Sequence, residues 1–469
     1  MEDDDPLDFD REDLSIPRSI MKAKPKKKVI GLDELLQEYY QEKINVVERE
    51  SKKLRMHASD SSDEEDDKSV KKKEKQLCAF VNECERQVNK LSATVNVESW
   101  GKRIFGPQKA PPVLHFPGSD ACPLLQALSE NDELKVIADL SIENGEAFMV
   151  ELLVTGWLQK LVLSRGHCDE FTVRWAFNLM AYSSNESHEV CACNFLCSII
   201  LSGSEGASHF CVLDWVPSGK QIKEIVQIYG YLEYGMGDKL IVSKREDNDD
   251  FEFDGPPVNI RSWLKFVSAC SQARSRAILA TSDAEELAVM VIQFFLERQL
   301  HCLFSLLKEC LATIVRFFTD EQWFASLQEI SFSLRRSIPG KDFNCIRLVE
   351  SLSGVDTRIK ELQKDVALGM LLNCIGKQEY RDAKEIIDLL TATNVRDKLT
   401  DFVQMYICLV LADAWLWCNP VITENSTVET WLHYLRGCSC QISSTDWRAY
   451  ASKVRNKASY LIQMYEGQK

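Results

Sequence analysis

Histidine is scarce in this sequence, seven in 469 residues, and most of the seven are isolated. A His-based acid–base site therefore has little to draw on. The nucleotide and hydrolase signatures are missing too: there is no GxxxxGK[ST] phosphate loop, no GxGxxG after a strand, no HExxH and no GxSxG. Carboxylates are plentiful, but neighbouring Glu and Asp on helices are usually solvated faces. Nothing in the sequence supports catalysis, and the expectation is a chain that is not an enzyme and needs no cofactor. No apolar run reaches the length of a membrane span, and the first thirty residues are acidic and then basic, without a hydrophobic signal core. A soluble, unsecreted protein with no membrane partner is expected. Positive charge is in deficit as well, with 56 Lys and Arg against 71 Asp and Glu for a net charge of −15. Such a surface repels a polyanion on average, so any DNA association should be local or borrowed from a partner.

Apolar residues, by contrast, make up 45% of the chain, ample for a large core. The length suits two or three domains or one continuous helical array. Seventeen cysteines are scattered through apolar positions, not packed into a short secreted scaffold. They read as reduced, buried thiols of a cytosolic or nuclear protein.

Residues 1–76 form a charged tail with 17 basic and 21 acidic side chains. It cannot bury enough apolar surface to offset its ordering entropy, and disorder is expected. Within it Lys22, Lys24, Lys26, Lys27 and Lys28 surround Pro25 in KAKPKKK, a compact run suited to the acidic groove of an import receptor. A nuclear import signal, and so a nuclear location, is the preferred reading; the alternative is a solvated charge run. In ASDSSDEEDD, Ser59, Ser61 and Ser62 precede five carboxylates, the composition that acidophilic kinases accept, or else an unmodified acidic linker. One tail segment differs. Over residues 32–47 the apolar side chains Leu32, Leu35, Leu36, Tyr39, Tyr40, Val46 and Val47 recur at helical spacing. A helix this short is marginal alone and orders fully only in a groove, on a partner or on its own body, with Leu32, Leu35, Leu36 and Tyr39 as candidate docking residues.

Residues 77–119 are expected to hold one helix and a Pro-rich connector. Leu77, Val81, Cys84, Val88, Leu91 and Val95 form a narrow heptad seam, too short to assert a coiled coil. Pro107, Pro111, Pro112 and Pro117 follow. From about residue 120 helical periods dominate, and the predicted fold class is all-α: an irregular stack of antiparallel helix pairs, helical-repeat-like but without a strict period. A helical half is expected over 120–236, with Phe148 to Leu163, Phe171 to Tyr182 and Val190 to Leu201 as buried helices. An acidic loop spans 237–257, and a second half runs from 258 to 469.

Only HEVCACNFLC brings metal-ligand types close together, as His188, Cys191, Cys193 and Cys197. Zinc needs four ligands converging from a turn and a second element, whereas Cys193 and Cys197 share one helical face and Cys191 does not. Small buried thiols are the preferred reading, and no metal site is expected. Cys438 and Cys440 lack a second pair. Of the C-terminal tryptophans Trp415, Trp417, Trp431 and Trp447, core is the favourite role. Trp417 falls off the face of Trp415 and is the better candidate for an exposed anchor.

The segment from Gly145 to Trp215, GEAFMVELLVTGWLQKLVLSRG through FTVRWAFNLMAYSSNE to FCVLDWVPS, together with the helical continuation, resembles the CANIN-domain family in layout over roughly residues 110 to 460. It looks like a plant-type member, short and with a charged tail. The resemblance implies a helical regulatory subunit associated with the Smc five/six complex, a ring-shaped chromosome-maintenance ATPase acting in DNA repair. It implies as partners a second helical subunit and the ATPase ring, and no catalytic or ligand residues. The competing expectations are a generic helical-repeat adaptor in transcription or transport and, more distantly, a nucleic-acid-binding protein.

Overall fold

The computed structural model describes residues 101–113, 122–129, 145–202, 210–232, 255–338, 342–377, 382–397, 399–418, 425–443, 446 and 448–467. The heptad seam and most of the acidic loop lie outside them.

Sixteen α-helices span the described residues: α1 (Pro123–Ser129), α2 (Gly145–Val154), α3 (Trp157–Arg165), α4 (Glu170–Tyr182), α5 (Glu186–Leu201), α6 (Gly219–Ile228), α7 (Ile260–Gln272), α8 (Thr281–Phe294), α9 (Phe304–Phe317), α10 (Asp320–Ser337), α11 (Phe343–Ser351), α12 (Thr357–Ile375), α13 (Ala383–Thr391), α14 (Phe402–Trp417), α15 (Asn425–Gln441) and α16 (Ala451–Glu466). Their starts are chemically marked. Asp169, Asn185, Asp342, Asp356, Asp382 and Asp401 each accept a hydrogen bond from a first-turn backbone N–H, filling an acceptor place that the helix itself leaves empty. Ser218 with Gln221, and Thr319 with Gln322, form reciprocal capping boxes.

The chain is an all-α, irregular stack of helix pairs. Packing runs from α4 onto α5, α5 onto α7, α7 onto α9, then through α8 and α10 to α12, α14 and α16. Trp263 and Phe294 stand 5.9 Å apart, and Phe177 lies 5.5 Å from Phe266, so aromatic rings tie α4, α7 and α8 into one core. Removing one such buried ring costs about 3–5 kcal/mol.

Three features depart from the periodic pattern. The stretch from Phe148 to Leu163 is not one helix: it breaks at Gly156, whose φ of 77° disfavours a side chain, and α2 and α3 diverge by 88°. Thr155 Oγ1 donates to Glu151 O at 2.7 Å, closing the end of α2. Next, His167 and Cys168 pair in parallel with Val212 and Leu213, a two-residue sheet that the helical periods do not announce. Last, the chain at 101–109 runs extended into the body. Ile104 and Phe105 are buried, Leu232 N donates to Ile104 O at 2.9 Å, Gly106 N to Gly230 O at 2.7 Å and Lys109 N to Ile228 O at 2.8 Å. On its other side Glu297 Oε2 accepts from the N–H groups of Ile104 and Phe105. The segment is a strap sewn to the end of α6 and the turn after α8.

Candidate protein-binding grooves

The import-run lysines Lys22, Lys24, Lys26, Lys27 and Lys28, the serines Ser59, Ser61 and Ser62, and the docking residues Leu32, Leu35, Leu36 and Tyr39 all lie outside the described residues, as does Trp447.

His188, Cys191, Cys193 and Cys197 sit on α5. The Cys193 and Cys197 sulfurs are 4.0 Å apart, and the Cys193 thiol donates to Ser262 O on α7 at 3.4 Å. Burial pushes the neighbouring Cys270 thiol far up. These are helix-packing thiols in an apolar seam. Among the described residues no three His, Cys, Asp or Glu side chains converge as a metal site. Cys438 is buried on α15 and Cys440 is exposed.

The tryptophans divide by face. Trp415 and Trp431 are buried, whereas Trp417, two positions beyond Trp415 on α14, is 54% exposed. It stands on a groove of about 330 Å³ between α14 and α16, closed on a third side by the end of α11 and by Gln363 of α12. Val410, Ala414 and Leu461 make an apolar floor, and Tyr460 and Met464 join Trp417 at the mouth. Lys457 Nζ lies 3.2 Å from Asp413 Oδ2 and 5.4 Å from the Tyr460 ring. Burial raises Asp413 above the usual carboxylate range, and Lys457 opposes that push. At the far end the Cys418 thiol donates to Gln363 Oε1 at 3.5 Å. The thiol is raised by burial, against the pull of Lys360 and Lys364. Nothing in this arrangement is poised for chemistry, but an exposed Trp and Tyr over an apolar floor have the composition of a binding hot spot.

A second groove, about 790 Å³, lies between α6, α8 and α10. Its walls are charged. Lys223 Nζ is clamped 3.1 Å from Asp283 and 2.5 Å from Glu286. Burial alone would lower Lys223, but the two carboxylates outweigh it and its pKa rises. Glu224, Glu285 and Glu329 leave the groove acidic overall. Sequence reasoning missed it, because Lys223 and its two partners are about sixty residues apart in the chain and no local spacing connects them.

No curated protein matches this chain. A family profile does: that of the Coiled-coil and Nse Interacting (CANIN) domain matches residues 21–380, well over half the chain, taking in part of the charged tail and the helical stack as far as α12. The chain therefore belongs to the CANIN-domain family.

Proposed function

We propose that this chain is a non-enzymatic, protein-binding subunit of the nucleus that works with the Smc five/six ring in chromosome maintenance and DNA repair, as a plant-type member of its family. The family match over residues 21–380 carries this reading, since the family's own name ascribes Nse interaction to the domain. The helical stack supports it in kind: stacked helices expose long ridges and grooves suited to other helices, and the two grooves described above are of this kind. The charge of −15 favours protein partners over direct DNA contact. In this reading KAKPKKK delivers the chain to the nucleus, and residues 32–47 form a docking helix for a second helical subunit or for the ring.

Affinity purification of the tagged full chain from nuclei, followed by mass spectrometry, tests the assignment. Subunits of the chromosome ring are expected in the eluate, and capture is expected to fail when Leu35 and Leu36 are both replaced by Asp. An eluate of transcription or transport factors without ring subunits would replace this reading with a general helical adaptor.

A further inference from the structure

Each helix in the stack covers the apolar stripe of its neighbour, and α14 with α16 has some of that stripe left over. Trp417, Tyr460 and Met464, exposed by 54%, 53% and 37%, all line the one groove between these helices. Helical arrays normally close such a surface with a polar capping layer, and an open one marks a place where another helix stacks.

The rim of this groove runs against the charge of the molecule. The whole chain carries −15, yet α16 places Lys457 in the groove and Lys453 one turn before it on the same face. Lys360 and Lys364 of α12 act on Cys418 at the groove's end. Lys360 is exposed and Lys364 half-buried. Two carboxylates line the groove, Asp413, which Lys457 engages, and Glu350 on the α11 side, so the basic charge lies along α12 and α16.

We propose that this groove takes an acidic amphipathic helix from a partner protein, laid against α14 and α16 as one more layer of the stack. Its apolar stripe would cover Trp417, Tyr460 and Met464, and its carboxylates would face Lys360, Lys364 and the lysines of α16. A basic helix would meet this rim with like charge, and a flat polar surface would leave the aromatic side chains wet. The inference deepens the protein-binding role proposed above by giving one surface and the chemistry of what it binds.

The test uses the full-length chain and two fluorescent peptides about as long as α14. One carries Leu at helical spacing with Glu between; the other has Lys for every Glu. Fluorescence anisotropy should show the Glu peptide bound at least about ten-fold more tightly at low salt, with the gap closing as salt is added. Replacing Trp417 and Tyr460 by Ala should weaken the Glu peptide by about ten-fold or more. Lys360→Glu with Lys364→Glu should remove the preference for it. All four side chains are at least partly exposed, and an unchanged melting temperature in each double variant separates lost binding from lost fold. Equal affinity for the two peptides, binding that the Trp417 and Tyr460 pair does not affect, or no binding of either peptide would each overturn the proposal. So would a dimer in sedimentation velocity that the Trp417 and Tyr460 substitutions dissolve, since the occupant would then be a second copy. A chain that captures ring subunits but ignores both peptides loses this inference alone; one that binds the Glu peptide but captures no ring subunit loses only the earlier assignment.

Discussion

Arg276 shows how single side chains join the layers. Its guanidinium donates to Ile200 O at 2.9 Å, Ile199 O at 3.1 Å, Ser202 Oγ at 3.3 Å and Cys211 O at 2.9 Å, so it holds the C-terminal end of α5 to the strand that returns beside it. Terminal helix carbonyls lack partners within their own helix, and a cation there also complements the helix dipole. Arg276→Ala should therefore cost about 3 kcal/mol in chemical denaturation, and Arg276→Lys, with one point charge in place of a fork, should recover only part of it. Glu189 makes a different prediction. It is 3% exposed on α5, and burial raises its pKa above 4.5 despite a hydrogen bond with Ser262. A carboxyl whose folded pKa is raised contributes most below its unfolded value and loses that contribution as pH rises through the folded value. Glu189→Gln should thus be more resistant to urea than the parent at neutral pH, and the advantage should vanish below about pH 4.5. Neither residue is legible in the sequence as special. Arg276 reads as one more surface cation until the carbonyls of residues far from it in the chain are brought to its head group. The exposure of Trp417 was legible, because two positions along a helix is about 200° of rotation and needs no tertiary knowledge.

At the scale of elements, what the sequence announces are helices with an apolar face and a polar cap. The segment from Phe171 to Tyr182 sits inside α4, and that from Val190 to Leu201 inside α5; both starts carry Asp or Asn at the cap. Where periodicity misleads, glycine is the reason. Phe148 to Leu163 keeps its hydrophobic pattern across Gly156, but a left-handed residue turns the axis by 88° without disturbing the pattern on either side. The strap at 101–109 was hidden for the opposite cause. It is extended, short and rich in Gly and Pro, so it looks like a connector, and only its partners at Gly230 and Glu297 make it part of the body. Gly230 is what lets it lie there: with φ of 93°, a Cβ at this position would stand 2.5 Å from Gly106 O and 2.8 Å from Pro107 O. Backbone cannot yield as a flexible side chain does. Gly230→Ala should unseat the strap at a cost of about 2–4 kcal/mol, seen as faster amide hydrogen exchange at Ile104, Phe105 and Gly106 than elsewhere in the stack.

At the scale of the whole molecule, the buried residues described from Ile104 to Leu461 form one core cluster that includes helices on both sides of residues 237–257. Helix α5 packs directly on α7 across that stretch. Stacked arrays unfold layer by layer only when the interfaces between layers are weak. Here the strap, Arg276 and the aromatic seam cross between layers. Thermal unfolding is expected to be a single transition, with circular dichroism at helical wavelengths and tryptophan fluorescence giving the same midpoint. Two midpoints would mean that the regions on either side of residues 237–257 melt separately.

The strap also decides how the molecule bears load. From Gly101, the first described residue, to Lys109 the chain is held by transverse hydrogen bonds to Leu296, Glu297, Gly230, Leu232 and Ile228. Tension that arrives at Gly101 from the N-terminal side reaches those bonds before any of the helices α1 to α16. It is shared among several bonds and buried rings, because Ile104 and Phe105 are locked into the core beside Phe294. A pull that arrives at Gly101 therefore meets a mechanical clasp that must be torn across before α1 is unwound, and the stack behind it stays intact up to the force at which the clasp gives way.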